Sequence, residues 1–261
     1  MGFESYWLNE RSDVSGMDFA NCLFITEGQH DGNIPLRDDC KYVLHNCCSP
    51  KWQDIKPENK LMLQVYTHDV IKHGAEKIGR GVWLLKEGRG LFQPWATDLL
   101  PHEFNFDDVN TPRSRDIHWV GTISEGQFGN TNEINQFKNA AKEAGINFVH
   151  HPPGSTSFED NRRLIMQSYL APAIHGTWQT NVGYIACRVF KNISYGQLGV
   201  TNSQAAFDLL DGMPIYSSDP YKLFHDARLR MENKEEIKAL MRHVQEHHTY
   251  INRVNSILSV I

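Results

Sequence analysis

Two cations, Arg188 and Lys191, stand three residues apart in "GYIACRVFKNISYGQLGVTNS", residues 183–203. The first half of this stretch has helical spacing, and the second is a short apolar run of the kind that forms a buried strand. A helix start offers unpaired N–H groups and a partial positive charge, which suits phosphate. The planar fork of Arg188 would meet two phosphate oxygens, and Lys191 would add a second charge one turn on. Gly183 would let the backbone approach a ligand closely. Together these groups would cradle a diphosphate without a metal. The same spacing also fits a solvated helix face. Cations near a helix start are mildly unfavourable unless something negative is close, and this favours a site.

The elements that must position these cations follow from periodicity. From about Asp116 onward, short apolar runs alternate with helical patterns. "IHWVGT" precedes "NEINQFKNAAKEAG", in which Ile134, Phe137, Ala141 and Ala144 share one helical face and Gly145 can end the helix. "INFVHH" follows, then "STSFEDNRRLIMQSY", opened by Ser157 with Asp160 three residues on, in the manner of a capping box. Next come "LAPAIHG", the stretch quoted above, the helix "SQAAFDLLDG", the strand "MPIYSS" and the helix "DPYKLFHDARLR". This order predicts a parallel sheet covered by helices. The first hundred residues carry the apolar runs "CLFITEG", "KYVLHNC", "LMLQVYTH" and "VWLLKEG", with few clear helices between them. "PHEFNFDDVNTPRSRD" reads as a linker. The expected architecture is α/β, with an N-terminal lobe over residues 1–104 and a C-terminal lobe over 105–261, facing each other across a cleft. The last residues read as one or two amphipathic helices, which could pack back on the first lobe.

Composition narrows the function. The 261 residues are 40% hydrophobic and 22% charged, as in a globular protein. A formal charge of -5 gives no reason to expect nucleic acid or a membrane surface as partner. No apolar run reaches the roughly 20 residues of a membrane span. "MGFESYWLNERSD" lacks the pattern of a signal peptide, and Tyr6 argues against myristoylation. Five cysteines with no C-x-x-C supply neither a disulfide framework nor a zinc site, so a reducing, cytoplasmic compartment is expected. The chain has no G-x-G-x-x-G, P-loop, H-E-x-x-H, G-x-S-x-G or D-x-D.

Residues 183–203, the upstream "FEDNRRLIMQSYLAPAIHG" and the terminal "VQEHHTYINRVNSIL" together resemble the donor-binding lobe of GT-B-fold glycosyltransferases, especially group-1-like bacterial and viral members. The pattern H-T-Y-x-N-R-V at His248–Val254 is similar to their final helices. The likeness runs from about Ile117 to the end and is weaker in "LFITEGQHDGNIPL" and "QPWATDLLPHE". Residues 183–203 are also similar to the donor site of GT-B α-fucosyltransferases. The resemblance implies two Rossmann-like lobes, the first of them reduced, and transfer of a sugar from a UDP-, GDP- or TDP-linked donor to a glycan or other hydroxyl acceptor. It implies a nucleotide-sugar as substrate and neither cofactor nor metal. Arg188 and Lys191 would hold the diphosphate, with Gly183, Tyr184 and Asn181 near the sugar or β-phosphate. Gly121 and Thr122 would face the cleft after the lobe's first strand, and His150, with His151, would meet the base or ribose.

Retaining members carry an E-x7-E pair that is missing between Tyr184 and Ser203, so an inverting reaction is expected. Such a reaction needs a base from the opposite lobe. "TEGQHDGN" offers Glu27, then Asp31, then His30, in a loop that could equally be polar because it is solvated. Asp98 and Glu103 read as hinge residues, and His45, His247 and His248 as structural histidines. The alternative to an enzyme is a non-catalytic nucleotide-sugar-binding domain of a larger protein, and a third reading is an epimerase on a similar frame. At this length the first lobe is reduced, or the chain is one unit of a multidomain polypeptide.

Overall fold

The computed structural model describes residues 4–9, 11–27, 34–47, 49–67, 74–86 and 89–261. It is a mixed α/β protein with parallel-rich sheets and helices. The first half is built on strands β1 (Leu23–Glu27), β2 (Lys41–His45), β3 (Lys60–Gln64), β4 (Ala75–Gly79), β5 (Val82–Leu85) and β6 (Gly90–Phe92). Their order across the sheet is β1-β2-β3-β6-β5-β4. The first four in that order run parallel, whereas β5 is antiparallel to both its neighbours. β2 is an interior strand, and its alternation sends Tyr42 and Leu44 to one core with Trp52 and Ile55, and Val43 to another with Leu61, Leu63 and Leu91.

Two strands of this sheet were not anticipated. β4, "AEKIG", is a polar edge strand with mostly exposed side chains, so it has no apolar alternation to betray it. β6 is only three residues long, although all three are buried.

The second half contains β7 (Asp116–Val120), β8 (Asn147–His151), β9 (Val200–Thr201) and β10 (Ile215–Tyr216). β7 pairs with β8, and β9 with β10, all parallel. Between the pairs lies the extended segment 169–174. Tyr169 N–H donates to Asp116 O at 2.8 Å and Ala173 N–H to Val200 O at 2.8 Å, so "LAPAIHG" sits between β7 and β9 with a single bridge, Ala173 to Thr201. The helices are α1 (Thr131–Glu143), α2 (Phe158–Gln167), α3 (Thr177–Asn181), α4 (Cys187–Ser194), α5 (Gln204–Leu209), α6 (Pro220–Arg230), α7 (Lys234–His247) and α8 (Tyr250–Leu258). Ser157 caps α2 by accepting from Asp160 N–H. Phe137 of α1 meets Phe224 of α6 edge-on at 5.5 Å, within a core that includes Ile117, Trp119, Phe190 and Leu240.

The stretch read as a linker, residues 101–116, is packed. Short 3-10 helices, Pro101–Glu103 and Phe106–Asn110, bury Phe104 and Val109 in the second core, and buried Asp108 pairs with Arg162 at 3.1 Å. Ile257 of the terminal helix α8 joins the first-half cluster of Val43, Leu61 and Leu91. No helix among the described residues is long and apolar enough to cross a membrane.

Candidate functional site

α4 begins at Cys187, so Arg188 stands in its first turn while Lys191 falls in its last. This differs from the sequence reading, in which both cations lay near the start. Among the described residues, no side chain caps the helix. The Arg188 guanidinium lies 3.9 Å from the ring centroid of Trp119 on β7. It also presses on the loop after β7, because a Cβ at Gly121 would come within 2.6 Å of Nη2. With φ at +122°, Gly121 is required on both counts. Among the described residues no carboxylate forms an ion pair with Arg188. Burial of the guanidinium pushes its pKa down to about 10, although the residue as a whole is only half-buried. The indole face offsets part of that cost.

His150 and Thr122 join the same corner. His150 Nε2 donates to Gly121 O at 2.7 Å, and Trp119 Nε1 donates to Thr122 O at 3.2 Å. Arg188, Gly121, Thr122 and His150 therefore converge at the carboxyl end of β7, where ligands of parallel sheets are bound.

The sequence reading missed His175, which directly follows the segment 169–174 and is 2% exposed. Its Nε2 accepts the N–H of Ala186, the residue that precedes α4, at 3.2 Å. That bond requires an unprotonated Nε2, and the ring is neutral: burial, then the charge of Arg188, push its pKa down to about 4. Asn202 holds the backbone on both sides, accepting from His175 N–H and donating to His175 O, each at 2.8 Å. His175 thus fixes the start of α4. The available signal was a polar residue closing an apolar run, "PAIHG".

No family model, no curated protein and no solved structure matches this chain. What the arrangement can do is therefore argued from its own chemistry.

Gly183, Tyr184 and Asn181 form a second group, set against the first half. Gly183 has φ at +66°, and a Cβ there would lie 1.6 Å from Thr67 Oγ1, so the close approach it permits is to Thr67. The Tyr184 hydroxyl accepts from Trp95 Nε1 at 3.1 Å, and its ring lies 5.5 Å from Tyr66 and 6.2 Å from His175. Asn181 is exposed at the end of α3. Lys191 has neighbours of its own. Its ammonium is 3.3 Å from Asp98, a carboxylate that also accepts the Tyr195 hydroxyl at 2.7 and 2.8 Å. Of the candidate bases, Glu27 closes β1 in register with His45, and its side chain, like His30 and Asp31, lies outside the described residues.

The H-T-Y-x-N-R-V residues hold the strip 94–98, which carries Trp95 and Asp98. Buried Arg253 donates to Pro94 O at 2.8 Å, Trp95 O at 3.1 Å and His248 Nδ1 at 3.0 Å. His248 stacks on Phe190 of α4 at 5.0 Å, and its carbonyl accepts Thr97 N–H at 3.0 Å. These residues position the site without facing it.

Proposed function

We propose that this chain is a glycosyltransferase of the GT-B kind, moving a sugar from a nucleotide-sugar to a glycan or other hydroxyl acceptor with inversion. One observation carries the reading: a half-buried arginine with no carboxylate partner among the described residues, in the first turn of a helix, at the carboxyl ends of parallel strands. That is the chemistry of a diphosphate site. Arg188 would hold the leaving diphosphate and stabilise the charge it gains, with Lys191, shared with Asp98, as a more distant cation. His150 beside Gly121 is available to base or ribose, and Tyr184 with Asn181 to the sugar or β-phosphate. The catalytic base would come from the first half, with Glu27 ranked before Asp31 and His30.

Two Rossmann-like lobes belong to this proposal. Its support is the parallel set β1-β2-β3-β6 in the first half and the placement of segment 169–174 between β7 and β9 in the second. So does a cytoplasmic setting, with which the unbridged Cys22, Cys40 and Cys187 are compatible.

Thermal unfolding with UDP, GDP, TDP and their sugars tests it. A nucleotide at a hundred times its Kd adds about 2.7 kcal/mol of stability. Arg188→Ala should remove most of that gain, and a shift that survives the substitution would place the diphosphate elsewhere. Release of free nucleotide on adding acceptor glycans separates an enzyme from a binding module.

A further inference from the structure

A cavity of about 610 Å3 lies between the two halves, beside the start of α4. Its apolar lining comes from both sides: Phe92 of β6, and Ile185 and Leu209 from the second half. Trp83 of β5 adds an indole, with the Lys77 ammonium 5.7 Å from its centroid. Across from them stands Asp208 of α5, one of whose carboxylate oxygens accepts from Gln204 at 2.7 Å. An ion pair between Arg80, in the β4–β5 turn, and Asp211 ties the two sides together. The turn is pressed home, since a Cβ at Gly81 would meet the Leu209 side chain at 2.2 Å.

Among the described residues, the charges around this cavity balance. Lys77 and Arg80 face Asp208 and Asp211, so neither a polyphosphate nor a polycation finds a complementary field. An apolar floor, an aromatic face, one carboxylate and one ammonium are instead the groups that recognise a neutral polyol ring. The ring's C–H face lies on aromatic and aliphatic carbon, and its hydroxyls donate to the carboxylate and accept from the ammonium. Thr67 also lines the cavity and abuts Gly183, while Ile185 directly precedes Ala186. The cavity therefore adjoins the arginine corner without sharing its charge.

We propose that this cavity seats an uncharged pyranose ring of the acceptor, with Trp83 and Asp208 as its recognition groups. The assignment rests on the glycosyltransferase reading, because only then does a sugar beside the diphosphate corner have a use.

The test is saturation-transfer NMR on the full chain. The probes are methyl β-glucopyranoside, methyl β-galactopyranoside, methyl α-mannopyranoside and maltose, each with and without saturating nucleoside diphosphate. At least one should bind. Trp83→Ala should weaken it by about tenfold or more, as loss of an aromatic anchor does. Asp208→Asn, at an exposed position that leaves folding intact, should weaken it severalfold, and Arg188→Ala should leave it unchanged. Melting temperatures of all variants show that they are folded. The proposal is overturned if none of the four sugars binds, if they bind Trp83→Ala and Asp208→Asn as well as wild type, or if glucosamine or glucuronate outcompetes all four. A nucleotide shift that persists alongside such a result leaves the diphosphate reading standing and removes only this one.

Discussion

Arg188 and Arg253 are the same residue type on neighbouring helices, and burial pushes both guanidinium groups down to about 10. Their surroundings differ. Arg253 spends its donors on Pro94 O, Trp95 O, His247 O and His248 Nδ1, so its charge is spread over fixed dipoles. Arg188 has an indole face and a glycine, and no acceptor of its own among the described residues. A fold tolerates the first because every bond it makes holds two segments together. The second packs on Trp119 and, among the described residues, ties no two segments together by hydrogen bonds. On the function proposed above, the contrast separates an arginine that builds the molecule from one that would meet an anion.

The sharpest way to break this comparison is Arg253→Ala. It would leave several buried acceptors unpaired and release the strip 94–98, so a loss of about 3–5 kcal/mol is expected in urea unfolding. A loss below about 1 kcal/mol would mean that those bonds do not hold the two segments together. Acid comes next. His175 is pushed from 6.5 down to about 4, and His248 lies well below its ordinary value, in both cases chiefly by burial. Between pH 6.5 and about 4 the unfolded chain takes up a proton at position 175 that the folded chain refuses. Stability therefore falls as pH drops through that window, by on the order of 3 kcal/mol for His175 alone. His175→Gln retains an acceptor for Ala186 N–H and cannot titrate, so its stability should depend less steeply on pH.

Much of this was legible in the chain wherever the cause is local. "NEINQFKNAAKEAG" forms α1 because its apolar residues fall on one face, and Ser157 caps α2 because the capping residue and its N–H partner are neighbours. "KYVLHNC" forms β2 because its alternating side chains enter cores on either side of the sheet. What could not be read depends on partners far along the chain. Nothing in the sequence beside Arg188 announces Trp119, and nothing beside Lys191 announces Asp98. Residues 101–116 look solvated because Phe104 and Val109 are spaced among acids and prolines, yet those two side chains decide where the segment lies. Gly183 reads in the sequence as a point where the backbone could meet a ligand, and the fold sets Thr67 against it.

Arg188→Ala addresses the other side of the comparison. It should leave stability within about 1 kcal/mol of wild type, since among the described residues it breaks no ion pair and loses only the packing on Trp119. Nucleoside diphosphate binding should weaken by about 1.5–3 kcal/mol, the range for hydrogen bonds to charged groups. A strongly destabilised variant would make Arg188 a second Arg253 and end the distinction.

The smallest expected effect belongs to Lys191, which tests whether the two cations act together. Its ammonium is partly exposed and faces Asp98, and Asp98 keeps the Tyr195 hydroxyl when the lysine is gone. Lys191→Ala should therefore cost below about 1 kcal/mol of stability, as exposed ion pairs do. If Lys191 is only the more distant cation, nucleotide affinity should fall by less than about tenfold, a Coulomb contribution weakened by the neighbouring carboxylate. A loss equal to that of Arg188→Ala would show that ligand draws the lysine away from Asp98 into a shared clamp. Asp98→Asn decides between these outcomes, because it removes the competing charge while sparing the lysine. Tighter nucleotide binding in that variant would mean that Asp98 restrains Lys191 in the free protein, and unchanged binding would leave Arg188 as the principal anchor.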